Sequence, residues 1–343
     1  MAQNLGIGVL AGLVSALLFG MLLKATPLAI VLYLLAPLPI LIVGLGWSHK
    51  AALAAVVAGS LALALAFSPY LGIGFAVYLA VPAWWLAYLA LLGRPNEDGS
   101  LEWYPVGRLL AWVAGTAALA FVAIAVIAAP NYDTFRTQIG GMAKKVVQMQ
   151  MQGRGGLPTP PPKDAPKPAE QTPAPSQDSA KDAKPQELQE EVADALSVIA
   201  PALAAQGLTV LLTFYLWLAA RIVKISGRLI RPWPDIPSTQ MPRNALIMLA
   251  VAVALALAPG YAGVLGVALI GSLSAAFALQ GLAAFHDRSR GRPARGALLF
   301  GLYMVLFITQ GLAFVALTLF GIADTALARR VPQAGPPGGP RPL

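Results

Sequence analysis

The segment LGIGVLAGLVSALLFGMLLK, residues 5–24, is followed after one residue by TPLAIVLYLLAPLPILIVGLGW, residues 26–47, and Lys24 is the one charged side chain in the pair. A helix rises about 1.5 Å per residue, so about 20 apolar residues cross a hydrocarbon core roughly 30 Å thick. Inside lipid the backbone must satisfy its own N–H and C=O groups, which an α-helix does. Both stretches therefore read as membrane helices. The whole chain has the same character: of 343 residues, 57% are hydrophobic and 11% charged, against about 25% charged in a soluble domain. The mean hydropathy is +0.69. So few charges cannot coat a water-facing surface.

Apolar stretches of spanning length recur at 5–24, 26–47, 51–68, 70–92, 106–129, 200–225, 244–259, 261–285 and 296–322. The expected fold is all-α, a polytopic helical bundle of about nine spans, with eight as the alternative; the 244–259 stretch is short for a full crossing and would sit untilted or thin the bilayer locally. The first span has no basic segment before it, so it reads as a membrane helix and not a cleavable signal. Ser68-Pro69-Tyr70 and Pro259-Gly260 join neighbouring spans through helix breakers, which predicts tight antiparallel hairpins.

Lys and Arg in short loops set orientation. With the N-terminus inside, Lys50, Arg94, Arg108, Arg221, Lys224, Arg228, Arg231, Arg243, Arg288, Arg290, Arg292 and Arg295 share the cytoplasmic side, and only Lys24, Arg329, Arg330 and Arg341 oppose them. A multi-pass protein of a cytoplasmic (inner) membrane with its N-terminus inside follows. Nine spans would put the C-terminus outside, where Arg329 and Arg330 dissent; dividing 296–322 would bring it inside.

The chain falls into membrane helices over 1–129, an extramembrane loop over 130–199, further membrane helices over 200–322 and a Pro/Gly-rich tail over 323–343. Residues 158–185 contain nine prolines and no Val, Ile, Leu, Met or aromatic residue, so that insert cannot form a core and is expected to be disordered. Its flanks, 135–152 and 186–199, carry one-sided apolar patterns of amphipathic helices, the second starting after Pro185 and running into the sixth span. They read as interfacial helices on lipid or as a docking arm for a partner. The loop holds 8 basic and 9 acidic residues, so the chain's net +9 lies at the ends of the spans. It marks topology and not nucleic acid.

Gly8, Gly12, Ala16 and Gly20 recur every four residues on one face of the first span, the small-residue stripe that lets two helices meet at backbone distance in lipid. The partner helix belongs either to this chain or to another protein. In the fourth span Pro82 predicts a kink, followed by Trp84, Trp85 and Tyr88. These aromatics read as belt anchors or as part of a ligand pocket. Gln280, Tyr303 and Gln310 are the other groups that would line a neutral pocket, while Gln206, Thr209, Thr213 and Tyr215 are expected to hydrogen-bond neighbouring helices.

Pro-Ala-Trp-Trp-Leu at 82–86, Glu-Trp-Tyr-Pro-Val-Gly-Arg at 102–108, the multi-span layout and His286-Asp287-Arg288 together resemble the YybS-like predicted membrane proteins of bacteria, a family of unassigned activity. The resemblance covers most of the chain outside the Pro-rich insert and the tail. It implies a location and a fold. That family is in turn distantly similar to the substrate-binding subunits of energy-coupling-factor vitamin importers, which dock on a coupling subunit through a small-residue stripe like Gly8, Gly12, Ala16 and Gly20. Those subunits usually have six spans.

Arg221, Lys224, Arg228 and Arg231 form one basic helical stripe, and Arg288, Arg290, Arg292 and Arg295 a second cluster; anionic lipid headgroups, a phosphate-bearing substrate or an acidic partner would suit them. Cysteine is absent and only His49 and His286 offer imidazole, so no metal site and no cofactor are expected. No charged group lies centrally in a span, and no Gly-x-x-x-x-Gly-Lys or Gly-x-Ser-x-Gly is present, which argues against an ion-driven pump, an NTPase and an enzyme. Two readings remain: a transporter-like or ligand-binding membrane subunit that works with a partner, and a non-transporting scaffold for cell-envelope machinery.

Overall fold

Three hydroxyls start three of the membrane helices. Thr26, Ser48 and Ser68 each accept a hydrogen bond from the backbone N–H three residues on, at 3.1, 3.1 and 3.2 Å, which satisfies one of the four orphan donors of a helix start. Pro27 and Pro69 occupy the first helical position after two of these caps, where a missing N–H costs nothing. The computed structural model describes residues 2–24, 26–97, 99–152, 179–309 and 311–327.

The elements in order are α1 (Ala2–Gly20), which continues through a 3-10 turn (Met21–Lys24), α2 (Pro27–Leu35), α3 (Leu38–Gly46), α4 (His49–Ala66), α5 (Pro69–Phe75), a π-helical turn (Ala76–Ala80) and α6 (Val81–Ala90). A short antiparallel hairpin, β1 (Gly93–Pro95) and β2 (Leu101–Trp103), pairs Gly93 with Trp103. Then come α7 (Val106–Ala128), α8 (Tyr132–Gln152), α9 (Ser179–Ile225), a 3-10 turn (Ile236–Ser238), α10 (Asn244–Ala256), α11 (Gly260–Arg288), α12 (Arg295–Thr309) and α13 (Gly311–Ala326). The bundle is all-α, as composition requires. Among the described residues seven helical passes are long and apolar enough to cross a membrane, and Asn244–Ala256, Arg295–Thr309 and Gly311–Ala326 are shorter apolar helices.

Proline shapes two passes. Pro37 and Pro39 divide the second pass into α2 and α3, and the Ser15 hydroxyl donates to the Ala36 carbonyl at the break. In the fourth pass the expected kink at Pro82 is met by widening the helix just before it: Val81 N–H reaches back to the Ala76 carbonyl across the π-turn.

The chain forms two compact units, Met1–Ile124 with Ala202–Leu343, and Ala125–Pro201. The first is turned inside out relative to a soluble protein. Alanines such as Ala51, Ala55, Ala83 and Ala87 are fully buried, while Leu65 and Leu257 stay 86% and 87% exposed, because lipid solvates leucine as well as a protein interior does and close helix packing needs small residues. In the second unit α8, capped by Asn131 on the Thr134 N–H, packs Ala143 and Val147 against Ala193 and Leu196 of α9. The amphipathic pattern expected at 186–199 lies within α9. That helix starts at Ser179 instead of after Pro185, since Pro removes a single backbone bond from an Ala/Lys-rich turn. Most of the Pro-rich insert, 153–178, and the tail from 328 onward lie outside the described residues.

The stretch 296–322 is not one span. It is α12 and α13, and α13 runs parallel to α11: Thr318 meets the Ser274 carbonyl, Gly321 faces Phe277 and Gly281, and Asp324 reaches Gln280 and Arg288. A helix parallel to α11 requires α12 to return between them. No charge or proline marks the break, which is why the sequence reads through it. Consequently α13 ends on the same face as Arg288, and so does the start of α1, which runs parallel to α4.

Candidate functional site

The face where α1 starts and where α3, α6, α9, α11 and α13 end carries every cation of the membrane unit's described residues except Lys24. Residues 226–243 cross this face as a strap. Gly227, at φ +68°, ends α9 in a left-handed turn, with Gly227 N–H to the Lys224 carbonyl and Arg228 N–H to that of Val223. The Arg231 guanidinium donates to the Ala90 carbonyl at 2.9 Å and the Tyr104 carbonyl at 2.8 Å, tying the strap to the end of α6 and to the residue after β2. Burial pulls its pKa below the ordinary arginine value. Further on, Arg290 grips Asp235 through two hydrogen bonds of 2.9 and 2.5 Å. That guanidinium holds the Asp235 carboxyl below its usual value, and the carboxylate raises that of Arg290.

A buried polar knot anchors the strap's end. Gln280 of α11 is fully buried. Its Oε1 accepts from Met241 N–H and Thr325 Oγ1, both at 3.0 Å, and its Nε2 donates to Asp324 Oδ2 at 3.0 Å and the Gly321 carbonyl at 3.3 Å. Both ends of the amide are therefore engaged within the protein. Asp324, whose side chain is wholly buried, receives the Arg288 guanidinium at 2.6 Å, and Arg288 also lies over the Phe320 ring at 4.7 Å. Gly281 and Gly321 let the two backbones close to a distance that a methyl would forbid. Asp324 carries no mark in the sequence, since it falls just beyond the apolar stretch that ends at 322.

Beneath the strap two cavities of about 400 and 390 Å³ lie on either side of a shared wall of Val106, Leu109, Thr213, Leu216, Ile236 and Leu279. The first, between α7, α9 and α11, is apolar apart from Thr213, Thr239 and His286. His286 Nδ1 lies 2.9 Å from the Leu282 carbonyl, to which it donates, and Nε2 lies 3.3 Å from the Tyr303 hydroxyl. Thr209 and Thr213 donate to carbonyls four residues back on their own helix instead of to neighbouring helices.

The residues expected to line one pocket are divided among separate places. Trp84, Trp85 and Tyr88 cluster on α6 with His49 and Trp112: Trp84 stacks with Tyr88, Trp85 meets Trp112 edge-on, and Trp84 Nε1 donates to the His49 carbonyl at 3.1 Å. Gln280 belongs to the polar knot, Tyr303 pairs with His286, and Gln310 lies outside the described residues. Apart from Thr213, the side chains that α7 and α9 give the first cavity are ordinary Val and Leu, which carry no mark in a sequence.

The stripe Gly8, Gly12, Ala16 and Gly20 packs within the chain. A methyl on Gly8 would meet the Ala51 carbonyl and one on Gly12 that of Ala55, Ala16 is buried, and Gly20 faces Leu63 and Phe67. Of the basic residues, Arg231, Arg288 and Arg290 are held as described. Arg221 and Lys224 lie over the Trp233 ring at 5.7 and 4.8 Å, and Arg228 over Trp47 at 4.5 Å. Arg292 and Arg295 are exposed. Among the described residues no group of three or more His, Asp or Glu is arranged to hold a metal ion. No curated protein and no solved structure matches the chain. The family model for a predicted membrane protein, domain of unknown function 2232, matches residues 13–325, nearly the whole membrane bundle, and the chain belongs to that family.

Proposed function

We propose that the protein is a ligand-binding, transporter-like membrane subunit of a bacterial cytoplasmic membrane, oriented with its N-terminus inside and dependent on a partner for energy. The observation that carries the reading is the 400 Å³ cavity between α7, α9 and α11. Several helix pairs of the bundle, α1 with α4 and α11 with α13 among them, meet closely on Ala and Gly, and an unfilled volume of small-molecule size is not what such packing leaves by default. A lining with two threonines, one histidine and no carboxylate suits a small, mostly apolar, uncharged molecule. Dependence on a partner follows from the missing nucleotide-binding loop and from the absence, among the described spans, of a relay of ionisable groups: Asp324 stands at one end and is already paired. The stripe on α1 is occupied by α4, so a partner engages another surface. Twelve Lys and Arg on one face of the membrane unit against Lys24 on the other support a cytoplasmic N-terminus.

The test is purification from native membranes followed by mass spectrometry of extracted small molecules, for the wild type and for Leu282→Trp, which fills this cavity alone. Wild type should retain a small molecule that the variant loses while both keep the same elution profile. A wild type that retains none overturns the reading.

A further inference from the structure

We propose that the second cavity is a binding site for an anionic glycerophospholipid, with one acyl chain in the groove and the headgroup on Arg221 and Lys224. The site lies across the shared wall from the ligand cavity and does not rest on the ligand reading. Its volume is about 390 Å³. It opens through Val210, Phe214 and Trp217 of α9, which are 40%, 49% and 43% exposed. In a membrane span, exposed apolar side chains border lipid, so the groove opens into the bilayer and not into water. From Val210 to Ala220, which also lines the groove, is ten residues or about 15 Å of helix. That is half the roughly 30 Å hydrocarbon core, the depth of one leaflet.

Trp233 and Pro234 of the strap also line the groove. Trp233 is where charge and cavity meet: the residue lines the groove, and its ring carries Arg221 and Lys224. Cation–π contact holds two positive charges at the mouth of an apolar slot. Among the described residues neither cation has a carboxylate partner. By contrast Arg231, which also lines the groove, spends its guanidinium on Ala90 and Tyr104 and serves the fold. An apolar slot open to lipid, with unpaired cations and an indole at headgroup height, is complementary to one class of molecule, a lipid with a negative headgroup.

The experiment uses the full chain in detergent and native mass spectrometry with phosphatidylglycerol, phosphatidylcholine or inorganic phosphate. Phosphatidylglycerol should bind in preference to phosphatidylcholine. Arg221→Gln with Lys224→Gln should weaken phosphatidylglycerol by about thirtyfold, at roughly 1 kcal/mol per cation, and leave phosphatidylcholine unchanged. Ala220→Phe, which narrows the groove, should weaken both lipids. Equal binding of the two lipids by wild type, phosphatidylglycerol binding that ignores the double substitution, or inorganic phosphate binding as tightly as the lipid would each overturn the proposal. None of these three residues lines the first cavity, so retention of its small molecule reports separately on the ligand reading.

Discussion

Asp324 is a wholly buried carboxylate in an apolar helix, which burial alone would penalise. Its desolvation is offset by Arg288 and by the Gln280 amide, and removing the charge of one member of the ion pair weakens that compensation for the other. Asp324→Asn should therefore lower stability by about 3 kcal/mol, less than the full range for a buried pair because Arg288 is 35% exposed. Thermal unfolding in detergent measures it. Arg288→Gln should cost clearly less in the Asp324→Asn background than in wild type; additive losses would show that the two groups do not interact. Neither residue could be paired from the sequence, since they lie 36 positions apart and nothing in the primary pattern links them.

At the scale of elements, α1 and α4 illustrate how a sequence motif acquires meaning only through its partner. The spacing of Gly8, Gly12, Ala16 and Gly20 predicts a close helix contact, and α4 answers it with Ala51, Ala55 and Gly59. Gly12→Leu would drive a side chain onto the Ala55 carbonyl and separate the two helices, whereas Gly6, with nothing near its missing Cβ, tolerates the same change. The variant pair should differ in melting temperature by several degrees, with Gly6→Leu indistinguishable from wild type. Equal melting temperatures would mean that the helices do not touch along this stripe. The strap of 226–243 is the opposite case: its prolines and Gly227 announce a turn, but only the fold brings it against Ala90, Tyr104 and Gln280.

For the molecule as a whole, the division of 296–322 into α12 and α13 changes the face on which the last described helix ends. Cysteine labelling is clean in a protein with no native Cys. Single replacements at Arg292 and Leu327, both exposed, should react with an impermeant maleimide from one side of sealed vesicles, and one at Pro259 from the other. Leu327 reacting with Pro259 would restore the nine-span arrangement.

Membrane residence, the all-α class, the turn at Pro259-Gly260 and the break at Pro82 are local properties, set by hydropathy over about 20 residues and by proline's missing N–H, and the amino-acid sequence alone determines them. Which faces meet is not local. The parallel pairing of α11 with α13, the burial of Asp324 and the cavities under the strap depend on shape complementarity between segments distant in the chain. In lipid, where Leu is as content outside as inside, hydropathy carries no signal for them.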